Sequence, residues 1–214
     1  AFSYFFETLF GGGFQGAQHA RQTGFRTRGE DHHAKVMIEL EDALQGATRT
    51  ITLQVPEVDS RGRLNMRERV LNIRIPAGIR QGQHIRLAGQ GAAGPGQGPA
   101  GDLYLEVEFR PHPFYRVDGR DLYLELPVTP WEAALGATTK VPTPAGVVDL
   151  KIPAGSGSGR KLRLKGRGIP GQSPGDLFVI LKIALPVADS EAAQALYRKM
   201  QQELDFNPRA HLGV

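Results

Sequence analysis

The sequence has no cysteine, which excludes disulfides, thiolate metal sites and cysteine nucleophiles together and accords with a reducing compartment. It has no apolar run near the ~18 residues that a membrane-spanning helix requires, so no membrane partner is expected. Aromatic residues make up only 7%, with a single tryptophan, Trp131. The start, Ala1 to Gly13, has neither a basic n-region nor a continuous apolar h-region, so no secretory signal is read there. The cytoplasm is the expected location. Catalytic signatures are missing as well: there is no H-E-x-x-H, no P-loop and no nucleophile elbow. Neither enzyme activity nor a cofactor is expected.

What is present points to two small domains. The chain has 214 residues, 40% of them apolar, enough for a sizeable core in each of two units. The net charge is +4, and 19 of the 26 basic residues are arginine, whose planar fork suits phosphate better than a lysine point charge does. Twenty-seven glycines and 15 prolines argue against long helices.

Residues 1–34 mix Phe2, Phe5, Phe6, Phe10, Phe14 and Phe25 with Gly11, Gly12, Gly13, Gly16 and Gly24, without a period of 2 or 3.6. They read as a flexible Gly/Phe segment, either a plain linker or a sticky element. From Lys35 onward strands dominate, announced by Val36, Ile38, Leu40 and by Ile51, Leu53, Val55 in alternation. One good helix is expected near the end, capped by Asp189 or Ser190, with Ala193, Leu196, Met200 and Leu204 recurring at helical spacing. That stripe needs something to pack on.

An internal repeat organises the middle of the chain. Glu41–Thr48 returns as Trp131–Thr138, Leu71–Gly78 as Val148–Gly155, Gln83–Gly91 as Arg160–Gly168, and Gly101–Val107 as Gly175–Leu181. Four blocks in one order define two homologous strand-rich copies of about 80 residues each. The expected fold is mainly β, with two tandem β-sandwich-like modules and a short C-terminal helix. The expected divisions are 1–34, 35–115, 116–187 and 188–214, with the modules joined near His112 to Gly119.

Several chemical motifs dissolve on inspection. Gly89–Gly94 and Gly166–Gly171 both spell G-x-G-x-x-G, but the prolines and glycines that follow rule out the helix a dinucleotide site needs, so they read as turns. His32 and His33 are adjacent and His112 lies between two prolines, so neither arrangement has metal-ligand spacing. Glu106 and Glu108 alternate with Leu105, Val107 and Phe109, as the wet face of a half-buried strand would.

The cations are more informative. Arg61, Arg63, Arg67, Arg69, Arg74, Arg80 and Arg86 lie in a window whose only acid is Glu68. A second, acid-free window holds Lys151, Arg160, Lys161, Arg163, Lys165 and Arg167, in which Lys161, Arg163 and Lys165 alternate with leucines along a strand. Such clusters are either a well-solvated basic face or a surface for nucleic-acid phosphates. Ile51, Leu53 and Val55 on one strand face read as core packing or as an apolar groove for an extended polypeptide.

The run from Val36 to Gly46, with Ile75-Pro-Ala-Gly-Ile-Arg-Gln-Gly82, Leu87-Ala-Gly-Gln-Gly91 and Pro111-His-Pro-Phe114, resembles the C-terminal client-binding region of DnaJ-family co-chaperones. The resemblance covers 35 to about 187, and the Gly/Phe segment matches that family's linker. Pro130–Gly136 and the tail Phe206-Asn-Pro-Arg209 are similar in particular to the subgroup that binds curved DNA. Zinc-bearing relatives insert a cysteine-rich module near where Pro56 to Arg69 stands here, so the sequence resembles the zinc-free class.

The resemblance implies a homodimer held through its C-terminal segment, with Ala193, Leu196, Met200 and Leu204 in the contact. It implies a groove for non-native, extended polypeptides lined by Arg49, Ile51, Leu53 and Leu105. It also implies a DnaK-type chaperone as partner, reached through a J-domain whose His-Pro-Asp triplet is not in this sequence, since His112-Pro113 continues into Phe114. Curved double-stranded DNA and a nucleoid-associated location complete the expectation, with Arg61, Arg63, Arg67, Arg69, Arg74, Arg86, Arg160, Lys161, Arg163, Lys165 and Arg167 as candidate contacts. The competing reading is an architectural nucleoid protein that uses a chaperone-like fold for DNA alone.

Overall fold

The structure, a computed structural model, describes residues 27–58, 64–95 and 98–212, without the side chains of 54–58 and 64–67. The Gly/Phe reading of the first 26 residues lies outside the described residues. The rest divides into two compact units. One runs up to Glu125 and takes in Pro142–Val148 and Leu162–Val179; the other consists of Leu126–Val141, Asp149–Lys161 and the chain from Ile180.

The first copy of the repeat contains β1 (His32–Ile38), α1 (Leu40–Gln45), β2 (Ala47–Val58), β3 (Leu64–Ile75), β4 (His84–Leu87) and β5 (Leu103–Phe109). After β6 (Tyr115–Asp118), the second contains β7 (Asp121–Val128), α2 (Pro130–Leu135), β8 (Ala137–Thr143), β9 (Gly146–Ile152), β10 (Lys161–Leu164) and β11 (Leu177–Ile183). Helix α3 (Glu191–Glu203) follows, started by the Ser190 side chain accepting from the Ala193 N–H. The chain is mainly β, as expected.

Helices α1 and α2 add to that expectation. They occupy the repeated block whose recurrence is plain in the sequence, but six residues are too few for a helical period to show. Each is closed by a glycine, with the Gly46 N–H donating to Asp42 O at 2.8 Å and the Gly136 N–H to Glu132 O at 3.1 Å. Only α2 has a capping box, in which Thr129 and Glu132 bond reciprocally.

The repeat recurs bond for bond. Gly82 N donates to Val107 O (2.8 Å) and Gly159 N to Leu181 O (2.7 Å); Val107 N donates to Gln83 O (2.8 Å) and Leu181 N to Arg160 O (2.9 Å). The first copy's sheet has the order β1-β5-β4, with β1 parallel and β4 antiparallel to β5. The second has the order β10-β11-β7-β6. Because β7 is the counterpart of β1, the extra strand β6 covers in the second copy the position where the first copy's sheet ends. Strands β2 and β3 form a separate antiparallel ribbon, as do β8 and β9.

Alternation sets the first core. Val36, Ile38, Leu103, Leu105 and Val107 from the sheet meet Ile51, Leu53, Ile73 and Ile75 from the ribbon, with Ala43 of α1 and Ile79 among them. Between the buried positions of β5, Tyr104, Glu106 and Glu108 are only half-buried, which accords with a wet strand face. Truncating a residue such as Leu105, which has no exposed surface, to alanine would cost about 2–5 kcal/mol.

An aspartate ties each copy together, buried in the first and half-buried in the second. Asp102 accepts from Gly89 N (2.8 Å) and Arg86 Nε (2.7 Å), and its own N–H donates to Asp31 (2.7 Å). In the second copy Asp176 accepts from Gly166 N (2.7 Å) and Arg163 Nε (2.6 Å), while its N–H donates to Asp121 (2.8 Å). Gly89 and Gly166 present those amides from left-handed backbone at φ 68° and 69°, a conformation that favours glycine. Both G-x-G-x-x-G segments therefore begin in turns.

The Gly89 N–H above all, against the opposing effect of burial, and then Arg86 and Arg28 hold the Asp102 carboxyl below the usual aspartate range. Gly166, again against burial, and then Arg163 and Lys165 do the same for Asp176. A depressed folded-state pKa gives stability that is present at neutral pH and is lost as pH falls through that depressed value. Asp102→Asn should lower the melting temperature at neutral pH, and its deficit against the parent chain should shrink in acid. Thermal melts at both pH values check this.

Candidate functional site

A cleft of about 440 Å³ opens beside β1 in the first copy, lined by Val36, Met37 and Ile38, by Thr48, Arg49, Thr50 and Ile51 of β2, by Ile73 and Ile75, and by Glu39, Asp42 and Arg110. Its apolar floor is core, while Met37 is 37% exposed. Its charges come in pairs. Arg49 grips the buried Asp42 with Nη2 at 2.6 Å from Oδ1 and Nε at 3.1 Å from Oδ2, and Arg110 meets Glu39 at 3.1 Å.

Of the residues expected to line a polypeptide groove, Arg49 and Ile51 belong to this cleft. Leu53 and Leu105 are packed in the core, 4% and 0% exposed, and are not part of the lining. Met37 was missed by sequence reading, because strict alternation assigns it to the wet face of β1. The signal that could have found it was its type, a large flexible apolar side chain at a polar position.

A second concavity, about 560 Å³ and almost wholly apolar, lies in the other unit between Pro130 and Trp131 of α2, Leu185, Pro186 and α3. The stripe residues Ala193, Leu196, Met200 and Leu204 all line it. They remain uncovered: Leu196 is 66% exposed, and Met200, Leu204 and Trp131 are exposed as well. Helix α3 has no buried residue, so the apolar lining of this concavity stands open.

The candidate DNA contacts fall into groups. Arg61 and Arg63 lie outside the described residues, as does the Arg67 side chain. Arg86 and Arg163 hold Asp102 and Asp176, and Arg69 donates to Gln90 O at 3.2 Å. Arg74, Arg160, Lys161, Lys165 and Arg167 are exposed. The two cation-rich windows of sequence thus conceal two ion pairs whose acids lie 16 and 13 residues downstream. Among the described residues no group of three or more His, Asp or Glu could hold a metal ion, and no helix is long and apolar enough to cross a membrane.

Comparison with known proteins agrees with these features. Residues 32–186 match the family described as DnaJ C terminal domain. The chain is 51% identical over 212 residues to a curved DNA-binding protein of Coxiella burnetii, spanning 99% of this chain and 67% of that protein. It is 41% identical over 217 residues to the curved DNA-binding protein of Pseudomonas putida, at 97% and 68% coverage. Its identity to the one from Escherichia fergusonii is 42% over 217 residues, at 99% and 69%. The chain belongs to the DnaJ C-terminal domain family.

Proposed function

We propose that the chain is a homodimeric, non-enzymatic client-binding module. It holds extended apolar segments of non-native polypeptides in the cleft beside β1 and binds curved double-stranded DNA without reading its sequence. The observation that carries the client reading is the difference between the copies: among the described residues the first sheet ends at β1 with the cleft alongside, whereas β6 covers the equivalent strand of the second. An extended segment laid in that cleft meets an apolar floor of Ile51, Ile73 and Ile75 and the flexible Met37. Because Arg49 and Arg110 are already paired to Asp42 and Glu39, client binding should be nearly indifferent to salt. A J-domain elsewhere in a longer protein would pass such clients to a DnaK-type chaperone.

The DNA reading draws on the relatives' names and on the exposed cations Arg74, Arg160, Lys161, Lys165 and Arg167. Contacts to phosphate carry no sequence information, so preference for curved DNA would come from its shape and deformability. The dimer reading draws on the uncovered stripe of α3, for which a second copy supplies an apolar surface of matching kind.

Three measurements check these assignments. Met37→Asp should weaken binding of an extended apolar peptide about tenfold or more while leaving the fold and DNA affinity unchanged; equal peptide affinity in the variant would remove the cleft from the reading. Ile51 and Leu53 make poor probes, because their burial means that polar substitution would unfold the module. Lys165→Gln with Arg167→Gln should flatten the dependence of DNA affinity on salt by about 0.9 log units for each phosphate no longer neutralised; an unaltered slope would mark those cations as a solvated face. Leu196→Asp with Met200→Asp should convert the dimer to a folded monomer in light scattering. A protein that binds DNA with this salt slope yet binds no apolar peptide would instead be an architectural nucleoid protein.

A further inference from the structure

The chain between the two copies of the repeat turns on a histidine. Pro111 and Pro113 have no N–H and bias the residues before them toward extended backbone. Beyond them, the N–H groups of Phe114 and Tyr115 both point at one atom, His112 Nδ1, at 3.1 and 3.0 Å. Two donors require that nitrogen to be an unprotonated acceptor. The ring proton therefore resides on Nε2, which lies 3.0 Å from Glu41 Oε1 on α1. The His112 side chain is only 13% exposed, and its ring stacks on Tyr115 at 4.9 Å and meets the edge of Phe114 at 5.7 Å.

We propose that His112 is an acid-sensitive pin of this joint, holding the turn into β6 while neutral and releasing it when Nδ1 is protonated. A proton on Nδ1 would set an N–H against two N–H donors, so both turn bonds would break together. Glu41 would retain its hold on the charged ring, so the ring need not leave its seat for the turn to open. The other ionisable groups around it do not replace the missing acceptor. The Tyr115 phenol is pushed up by burial and then by Glu41 and so stays neutral, Arg110 meets Glu39 at 3.1 Å, and Glu41 already faces Nε2. The second copy has no counterpart, since the chain between β11 and α3, residues 184–190, contains no histidine. This inference rests on the joint's own geometry and is independent of client or DNA binding.

Nitrogen-15 NMR of the whole chain tests it. At about pH 8 the His112 ring should be the Nε2–H tautomer. On lowering the pH to about 5, across the range where histidine titrates, the Phe114 and Tyr115 amides should shift with the same midpoint as the ring and lose about tenfold or more of their exchange protection. His112→Asn supplies the control, because an asparagine carbonyl can accept from backbone N–H groups in such a turn and does not titrate. That variant should keep the protection seen at pH 8 and lack the acid step. An Nδ1–H tautomer at pH 8, amides that do not follow the ring, or the same acid step in His112→Asn would each overturn the proposal.

Discussion

Each copy of the repeat depends on an aspartate, 6% exposed at its side chain in the first copy and 13% in the second, that bonds to three separate segments of chain. Asp102 and Asp176 sit at the entry to β5 and β11, the strands that every other strand of their sheets joins directly or through a neighbour. A charge so placed is tolerated only when its oxygens are satisfied. Here the oxygens accept from a glycine turn on one side and an arginine on the next strand, while the aspartate's own N–H donates to an acidic residue just before β1 or at the start of β7. The clamp therefore joins three segments distant in sequence and fixes the level at which the strands meet. That is why the arginines Arg86 and Arg163 recur in the two copies.

Once the two sheets are fixed in the same way, the differences between them become meaningful. The additional strand β6 lies beyond β7, and nothing in the first sheet's strand order lies beyond β1. The first copy also has two ion pairs at its cleft, Asp42 with Arg49 and Glu39 with Arg110. At the equivalent places in the second stand Glu132 and Thr129, which bond to each other as a helix cap. One copy has thus turned a helix start into local stability, and the other has left it as the polar lip of an apolar cleft. One fold, present twice, thus carries an open cleft in one copy and a helix cap at the equivalent place in the other.

How much of this could be read in advance depended on the range of the interaction. The repeat, the strands, the final helix and its cap, narrowed to Asp189 or Ser190, were legible because alternation, helical spacing and capping act over a few residues. The apolar stripe on α3 was legible for the same reason, down to all four residues. The aspartate clamps were not, because Arg86 and Asp102, or Arg163 and Asp176, become neighbours only when β4 meets β5 and β10 meets β11. A charge count along the chain therefore exaggerated the positive surface. The cleft was only partly legible: alternation found the apolar face of β2, but it could not say where that face turns from cleft floor at Ile51 to core at Leu53.

The burial pattern also explains why dimerisation matters to the proposed activities. On the proposed reading, a cleft whose exposed apolar surface amounts to little beyond Met37 and the edges of a few aliphatic residues would give modest affinity to one client segment, and a handful of exposed cations modest affinity to one stretch of DNA. Joining two such arms makes the second contact intramolecular and raises overall affinity without any new interaction, provided the spacing allows both to engage. The apolar face of α3 that remains open in one chain is then the most effective place for evolution to act, since its closure strengthens both kinds of binding at once. Loss of that face should weaken client and DNA binding together, whereas changes in the cleft or among the cations act on one alone.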